Sequence, residues 1–383
     1  MEDILNSLVK GNSEAIRNSW AMAWKQQGKK VIGILSSYVP EEVIWAAGML
    51  PWRITGTWRE NISNARLYRS QSSCSYCNHV LESLLSGELD FLDGIVSTDL
   101  DQDLLRMGDV MLALKRFPFF EIMHIPFVDS ELNYKFLTEE IRRLASSLER
   151  FNGEKITDDA LYASIYTHNR MRNLLSRMYE LRKRETPPLS GSEVLGITTA
   201  AAVMPKTHFN RELEALLPYL EKREANLKSR SPRLLVTSEM LDNPAYISLV
   251  EENSLVAMDD MDTGSRYFIQ EVDTTLKDPV DALARRYLNR HGAPRMTSWG
   301  KQAEQLIKWV KEFNIDGVLA LPLAWCYPQR YRMPFLTRKF DEAGIPSICL
   351  EREYHLTNVG QLRTRIGAFV EMLSLKRVIH GSR

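Results

Sequence analysis

Residues 31–51 read VIGILSSYVPEEVIWAAGMLP, and this stretch decides the fold. Its apolar start predicts a short buried strand of a parallel sheet, which ends where the chain turns polar at Ser36 and Ser37. Pro40 and the two acidic residues after it are typical of a helix start, and Gly48 is typical of a helix end. The unit is therefore strand, polar turn, helix. Open α/β sheets bind their ligands at such a turn, beside the carboxyl end of a strand.

Composition limits the classes of function. The chain has 383 residues, of which 44% are hydrophobic, so it can bury two or three cores. Lys plus Arg and Asp plus Glu both number 49, and no overall charge therefore draws the protein to nucleic acid or to an anionic membrane. No apolar run approaches the roughly 18 residues of a membrane span, and residues 1–10 lack the pattern of a signal peptide. We expect a cytoplasmic protein.

Strand and helix patterns alternate at both ends of the chain, with a helical stretch between them. Further strands are predicted at 52–54, 91–96 and 119–125, and a second series begins at Arg233. The two series share an order of elements, and residues 315–321 echo 92–96. We therefore predict an α/β protein with two Rossmann-like, doubly wound domains and a helical connector, with a ligand cleft between the domains. The predicted bounds are 1–150 for the first domain, 151–230 for the connector and 231–383 for the second domain.

Three of the four cysteines lie near predicted strand ends. Cys74 and Cys77 form a C-x-x-C pair, and Cys326 follows a strand of the second series. Thiolates from two facing domains can converge on one iron–sulfur cluster, which takes up to four cysteine ligands. A structural role for Cys77 is the alternative. Cys349 lies in an apolar strand, where we expect a small buried side chain.

Other motifs argue against several chemistries. The sequence has neither G-x-x-x-x-G-K-[ST] nor G-x-G-x-x-G, so the usual phosphate-binding loops are absent. Its histidines show no paired spacing, which argues against zinc. The acidic run 259–262 is expected to be a solvated turn. The histidines considered are His79, His124, His208, His291 and His355.

Several segments, in order along nearly the whole chain, together match one known family. They are 37–42 with 46–48 and Pro51, 90–96, 156–161 with Asn169 and Arg170, 187–191, 316–318 with Cys326, 344–346 with 350–351, and 360–365 with Ala368 and Phe369. In these segments the chain resembles the 2-hydroxyacyl-CoA dehydratase family, which includes benzoyl-CoA reductase subunits.

The resemblance implies one subunit of a heterodimer of homologous chains, acting with a separate ATP-hydrolysing iron–sulfur activator. Each chain of such a pair usually holds a [4Fe–4S] cluster through three cysteines, and a coenzyme A thioester is bound beside one of the clusters. The reaction is a one-electron radical dehydration or the reduction of an aromatic ring, and the sequence does not separate the two. In the matched motif, Ser37 is expected to act in catalysis and Ser36, Tyr38 and Glu41 to bind substrate.

One position departs from the family. Cys74 and Cys326 match two of its cluster cysteines, but the middle cysteine is replaced by Leu100, in the segment 98–101. Cys77 can substitute, or Asp99 or Asp101, or the subunit binds a labile cluster or none. The competing hypotheses are a cluster-free partner subunit that binds acyl-CoA or scaffolds a catalytic homologue, and an electron-transfer protein without an acyl-CoA substrate. Our working prediction is that Cys74, Cys77 and Cys326 hold the cluster.

Overall fold

The computed structural model describes residues 1–224, 231–290 and 297–380. It contains two parallel sheets with helices around them. The strands are β1 (Val31–Ile34), β2 (Leu50–Arg53), β3 (Gly94–Thr98), β4 (Phe119–Met123), β5 (Arg233–Thr237), β6 (Leu255–Asp260), β7 (Gly317–Ala320) and β8 (Ser347–Cys349). The helices are α1 (Glu2–Val9), α2 (Glu14–Lys25), α3 (Glu41–Ala46), α4 (Ser75–Leu85), α5 (Gln102–Leu114), α6 (Glu131–Asn152), α7 (Asp158–Glu180), α8 (Gly191–Ala201), α9 (Lys206–Leu220), α10 (Pro244–Val250), α11 (Ser265–Phe268), α12 (Pro279–Asn289), α13 (Trp299–Glu312), α14 (Tyr327–Glu342) and α15 (Val359–His380).

The first sheet has the strand order β2-β1-β3-β4, with every pair parallel. The chain runs from β1 to β2 on one side and then crosses β1 to reach β3 on the other, so the topological switch point lies between β1 and β3. Gly94 is needed in this sheet because a Cβ there would lie 2.7 Å from the Phe119 Cβ. Helix α3 begins at Glu41, since Pro40 is still extended, and Gly48 ends the unit at φ +74°.

The second sheet repeats this plan with the order β6-β5-β7-β8, again parallel throughout. Its switch point lies between β5 and β7. The prediction of two Rossmann-like, doubly wound units is confirmed. Two local expectations were wrong. Asp259 and Asp260 are buried at the end of β6, where Asp259 pairs with Arg182 at 3.0 Å, so they are not in a solvated turn. Cys349 ends β8 and is exposed, because β8 is the edge strand of the second sheet in the described part of the chain.

Helices fill the region between the sheets along the chain. The break at residues 187–190 is followed by α8, whose N-terminus has a capping box between Ser190 and Glu193. The apolar spacing of residues 208–230 predicts one helix, but α9 ends at Leu220, and residues 225–230 lie outside the described residues. Helices α1, α7, α8 and α9 share one apolar core with β5 and β7 of the second sheet. The helical middle therefore packs as a layer on the second unit.

Helix α12 lies in the second half of the chain but packs on the first unit. Its apolar side chains Leu283, Tyr287 and Leu288 lie in the same core as Ile32 and Ile34 of β1. The helix contacts α6 along its length. A segment that follows β5 and β6 of the second sheet has thus become part of the first unit's core. The three predicted domain bounds remain a prediction.

Two buried carboxylates at the start of α3 join these parts. The Glu41 carboxylate lies 2.8 Å from the Lys206 ammonium of α9 and accepts a hydrogen bond from the Tyr267 hydroxyl of α11 at 2.9 Å. Glu42 pairs with Arg172 of α7 and accepts a hydrogen bond from the Tyr287 hydroxyl at 2.8 Å. Arg172 and its neighbours keep the pKa of Glu42 below its usual range despite full burial. We call these side chains, together with His168 of α7, the α3 charge cluster.

In the described part of the chain, no helix combines the length and the apolar character that crossing a membrane requires.

Removing the Glu42 charge should destabilise the protein strongly. Glu42→Gln leaves the buried Arg172 guanidinium without its counter-ion, and loss of one partner of a buried pair costs about 3–5 kcal/mol. The check is the free energy of urea unfolding. Glu252→Gln is the control, because it breaks an exposed Glu–Arg pair with Arg363 and should leave the unfolding midpoint unchanged. Equal midpoints for both variants and the wild type would contradict the role given to Glu42.

Acid should weaken the α3 charge cluster through His168. Burial lowers the pKa of His168 from 6.5 to about 4, although Glu41 and Glu42 lie near it and Lys206 and Arg172 oppose them. Between these two values the unfolded chain binds more protons than the folded chain, so stability falls as the pH drops from about 6.5 to about 4, by up to about 3 kcal/mol. In His168→Gln the free energy of unfolding should depend less steeply on pH between about 4 and about 6.5. The same slope in both proteins would exclude a contribution from His168.

Candidate functional site

A small cavity lies where the two switch points face each other. Its volume is about 90 Å³, below the roughly 300 Å³ of an ordinary small-molecule site, so it suits a compact group or one end of a larger ligand. The first unit contributes the turns after β1 and β2 and the start of α4 and α5, and the second unit contributes the turns after β5, β6 and β7. The lining residues are Leu35, Ser36, Tyr38, Arg53, Cys74, Tyr76, Cys77, Leu100, Asp101, Leu104, Glu239, Met240, Asp262, Leu323 and Cys326.

Three cysteines come together at this cavity from both units. Cys74 is the N-cap of α4, Cys77 lies in the first turn of the same helix, and Cys326 is the N-cap of α14. All three are buried. Next to them the Ser75 amide donates a hydrogen bond to the Ala324 carbonyl at 3.3 Å across the two units. Trp325 adopts φ +63°, a left-handed conformation that costs energy outside glycine, immediately before Cys326.

The three thiols interact directly. The thiols of Cys326 and Cys77 hydrogen-bond to Cys74 and lower its pKa well below 9.0. The same contacts act in the opposite direction on the donors: burial and Cys74 raise the pKa of Cys77, and Cys74 and burial raise that of Cys326. The helix N-termini at Cys74 and Cys326 also favour a thiolate. The two neighbouring thiols therefore favour ionisation of Cys74 over their own.

Thiolates are the usual ligands of iron–sulfur clusters, so the three cysteines are of the right chemical type to hold one. They do not yet have the geometry of a metal site. Within residues 1–224, 231–290 and 297–380, no group of three or more His, Cys, Asp or Glu side chains is arranged to hold a metal ion.

Leu100 and the two acidic residues beside it occupy different places. Leu100 is buried and lines the cavity, where it contributes only apolar surface. Asp101 also lines the cavity, and burial together with the nearby Cys74 raises its pKa to about 7. The Asp99 carboxylate is engaged elsewhere, with the His124 ring at 2.9 Å and the Ile125 amide at 2.9 Å. Of the substitutes considered for the missing cysteine, the cavity contains Cys77 and Asp101.

The residues predicted to bind substrate separate into two groups. Ser36 and Tyr38 line the cavity, and the Ser36 hydroxyl accepts a hydrogen bond from the Tyr38 amide at 3.2 Å. Glu41 does not line it, because its carboxylate belongs to the α3 charge cluster. The Ser37 hydroxyl also lies outside the lining. It donates to Asp262 and accepts from Arg290 Nη2 at 3.0 Å.

Three charged residues of the cavity were missed by sequence reasoning: Arg53, Glu239 and Asp262. Arg53 ends β2, and its guanidinium pairs with Asp262, in the turn after β6. Asp262 belongs to the acidic run that was interpreted as a solvated turn. For Arg53 the available signal was its position at the carboxyl end of a predicted strand, close to the end of the run 52–54. Arg290, which also donates to the Ser37 carbonyl at 2.5 Å, gave no signal because it follows α12, far along the chain.

The fold and cavity define a class: a two-unit α/β protein with a cysteine-lined cavity between facing switch points. Comparison with known proteins is consistent with that class. A family model described as "2-hydroxyglutaryl-CoA dehydratase, D-component" matches residues 36–373. The chain belongs to this family, in agreement with the resemblance found from its motifs.

Characterised relatives are distant but span nearly the same length. The chain is 27% identical over 353 residues to the (R)-phenyllactyl-CoA dehydratase beta subunit of Clostridium sporogenes, covering 91% of this chain and 93% of that protein. It is 27% identical over 358 residues to the beta subunit of the (R)-2-hydroxyglutaryl-CoA dehydratase of Acidaminococcus fermentans, with 91% and 94% coverage. It is 28% identical over 367 residues to a benzoyl-CoA reductase subunit of Thauera aromatica, with 93% and 94% coverage. These relatives differ in their acyl groups and their reactions.

The burial of the cysteines predicts their reactivity. In the native protein a thiol reagent such as Ellman's reagent should label Cys349 quickly, since it is exposed, and the three cavity thiols only slowly. Cys349→Ser should abolish the fast phase, and unfolding in guanidinium should release all remaining thiols. A fast phase that persists in Cys349→Ser would show that the cavity thiols are accessible.

Proposed function

We propose that this chain is one subunit of an enzyme of the acyl-CoA dehydratase and benzoyl-CoA reductase type, in which Cys74, Cys77 and Cys326 hold a [4Fe–4S] cluster. The observation that carries the proposal is the convergence of three buried cysteines from two units at facing switch points. When bound, such a cluster supplies one-electron chemistry. Dehydration of a 2-hydroxyacyl thioester needs it, because the hydrogen on the β carbon is barely acidic.

The residues of the cavity contribute binding and exclusion of water. Its walls are largely apolar, from Leu35, Leu100, Leu104 and Leu323, so an acyl group that enters displaces water. Ser36 and Tyr38 add polar groups to the lining. The volume of about 90 Å³ accommodates only the reactive end of a coenzyme A thioester, so the nucleotide portion extends outside.

The proposed partners follow from the relatives. Several relatives are named as beta subunits or as one subunit of a larger enzyme, which supports a homologous second subunit. An ATP-dependent iron–sulfur activator belongs to the same proposal, as the source of the electron. A cytoplasmic location agrees with four free cysteines, because reducing compartments keep thiols unpaired.

Iron and acid-labile sulfide per chain, measured on protein purified without oxygen, test the cluster. We expect about four of each, with a broad thiolate-to-iron absorption band. Cys326→Ala should lose the iron, whereas Cys349→Ala, a matched change at the exposed cysteine, should keep it. No iron in the wild-type protein after anaerobic reconstitution would instead support a subunit whose role is binding or assembly.

A rescue experiment tests the substitution at Leu100. Cys77→Ala should lose the cluster if Cys77 replaces the usual middle cysteine. Adding Leu100→Cys in that background should restore the iron content, because position 100 lines the same cavity. Full iron content in Cys77→Ala alone would remove Cys77 from the ligand set and leave Asp101 as the residue to examine.

A further inference from the structure

Arg53 is a buried arginine whose side chain is only partly used by the protein. It lies at the carboxyl end of β2, has 6% of its surface exposed and lines the cavity. Its Nη2 pairs with Asp262 and lies 3.4 Å from the Met240 sulfur. Neither its Nε nor its Nη1 donates a hydrogen bond to any residue in the described ranges. An unmade bond of a buried guanidinium is costly, and Nη1, unlike the fully buried Nε, is suited to a ligand acceptor in the cavity.

The charges around the cavity restrict what that acceptor can be. Arg53 is already compensated by Asp262. The charges behind it are matched as well, because Glu239 and Asp260 together balance Arg266 and Arg332. A ligand carboxylate anywhere in this small cavity would add a negative charge beside Asp262 that no free cation among the described lining residues compensates, which is unfavourable in a low-dielectric site. A neutral carbonyl oxygen accepts the same hydrogen bonds without that penalty.

A chain of contacts holds the Arg53 guanidinium in place. Arg290 donates to the Ser37 hydroxyl at 3.0 Å, Ser37 donates to Asp262 Oδ1, and Asp262 Oδ2 binds Arg53. The members come from the turn after β1, the turn after β6 and the end of α12. Ser37, which does not line the cavity, thus orients Arg53 through Asp262. In this arrangement Ser37 is a positioning residue.

We propose that Arg53 binds the thioester carbonyl oxygen of a neutral, compact acyl-CoA, and that the Arg53–Asp262 pair disfavours acyl groups that carry their own carboxylate. This assignment rests on the proposed function, since it takes an acyl-CoA as the ligand. It names the substrate class: short aliphatic acyl groups such as lactoyl, in preference to dicarboxylic ones such as 2-hydroxyglutaryl.

Equilibrium binding to the full chain tests the assignment with three probes. Lactoyl-CoA has the carbonyl and no acyl carboxylate, 2-hydroxyglutaryl-CoA adds a carboxylate, and S-(2-hydroxypropyl)-CoA is the thioether in which a methylene replaces the carbonyl. We expect the wild-type protein to bind lactoyl-CoA about 10- to 100-fold more tightly than the thioether, as one hydrogen bond to a charged donor provides. It should also bind lactoyl-CoA more tightly than 2-hydroxyglutaryl-CoA. Isothermal titration calorimetry measures each Kd.

Each double variant removes both charges of an ion pair, so that no buried charge is left without a partner and the protein still folds. Arg53→Gln with Asp262→Asn replaces a buried ion pair by a neutral pair, and should lose the preference for thioester over thioether while its Kd for the thioether stays unchanged. The matched control is Glu252→Gln with Arg363→Gln, which replaces an exposed Glu–Arg pair and should keep the wild-type preferences. Circular dichroism and the unfolding midpoint confirm that each variant is folded.

The outcomes separate the two levels of the proposal. Equal wild-type affinity for thioester and thioether, or an unchanged preference in the neutral-pair variant, overturns the role of Arg53 and leaves acyl-CoA binding intact. Binding of 2-hydroxyglutaryl-CoA as tight as that of lactoyl-CoA overturns the substrate class. If the wild-type protein binds none of the three coenzyme A compounds, the proposed function fails, and the assignment of Arg53 fails with it.

Discussion

Two carboxylates in the first turn of one short helix anchor this structure. Glu41 and Glu42 are almost completely removed from water, and burial of a charge is costly unless a partner and hydrogen bonds compensate it. The partners come from four other helices, so the cost is met only when all of them are in place. A cluster of this kind adds little net stability compared with apolar packing. Its effect is on specificity, because any other arrangement of these helices would leave a buried charge without its partner.

The cavity depends on that arrangement because neither sheet forms it alone. The cysteines of the C-x-x-C pair and Cys326 begin helices of different units, and each helix starts beside a switch point of its own sheet. Strand order fixes where each switch point lies within a sheet. The helices that share the α3 charge cluster fix how the two units meet. The position of the thiols is therefore a property of the whole chain.

The fold was largely predictable from local patterns, and the cavity was predictable in part. Short apolar runs with polar ends identified the strands, because a buried parallel strand has few other sequence forms. The same reasoning brought Cys74 and Cys326 to strand ends. It failed where a distant element decides the environment. Glu41 sits in a polar-looking turn, but its neighbour Lys206 lies 165 positions further along the chain. Cys349 is exposed because β8 is an edge strand, and sheet order cannot be read from one strand.

Helix α12 has a consequence for how the protein is made. The ribosome completes the first sheet early, yet the core of that sheet includes Leu283 and Tyr287, which are translated only after β5 and β6 of the second sheet. Until they emerge, the apolar face of α6 that α12 covers stays open to solvent and to other chains. The two units look like independent repeats in strand order, but the core of the first unit is complete only after part of the second unit has been translated.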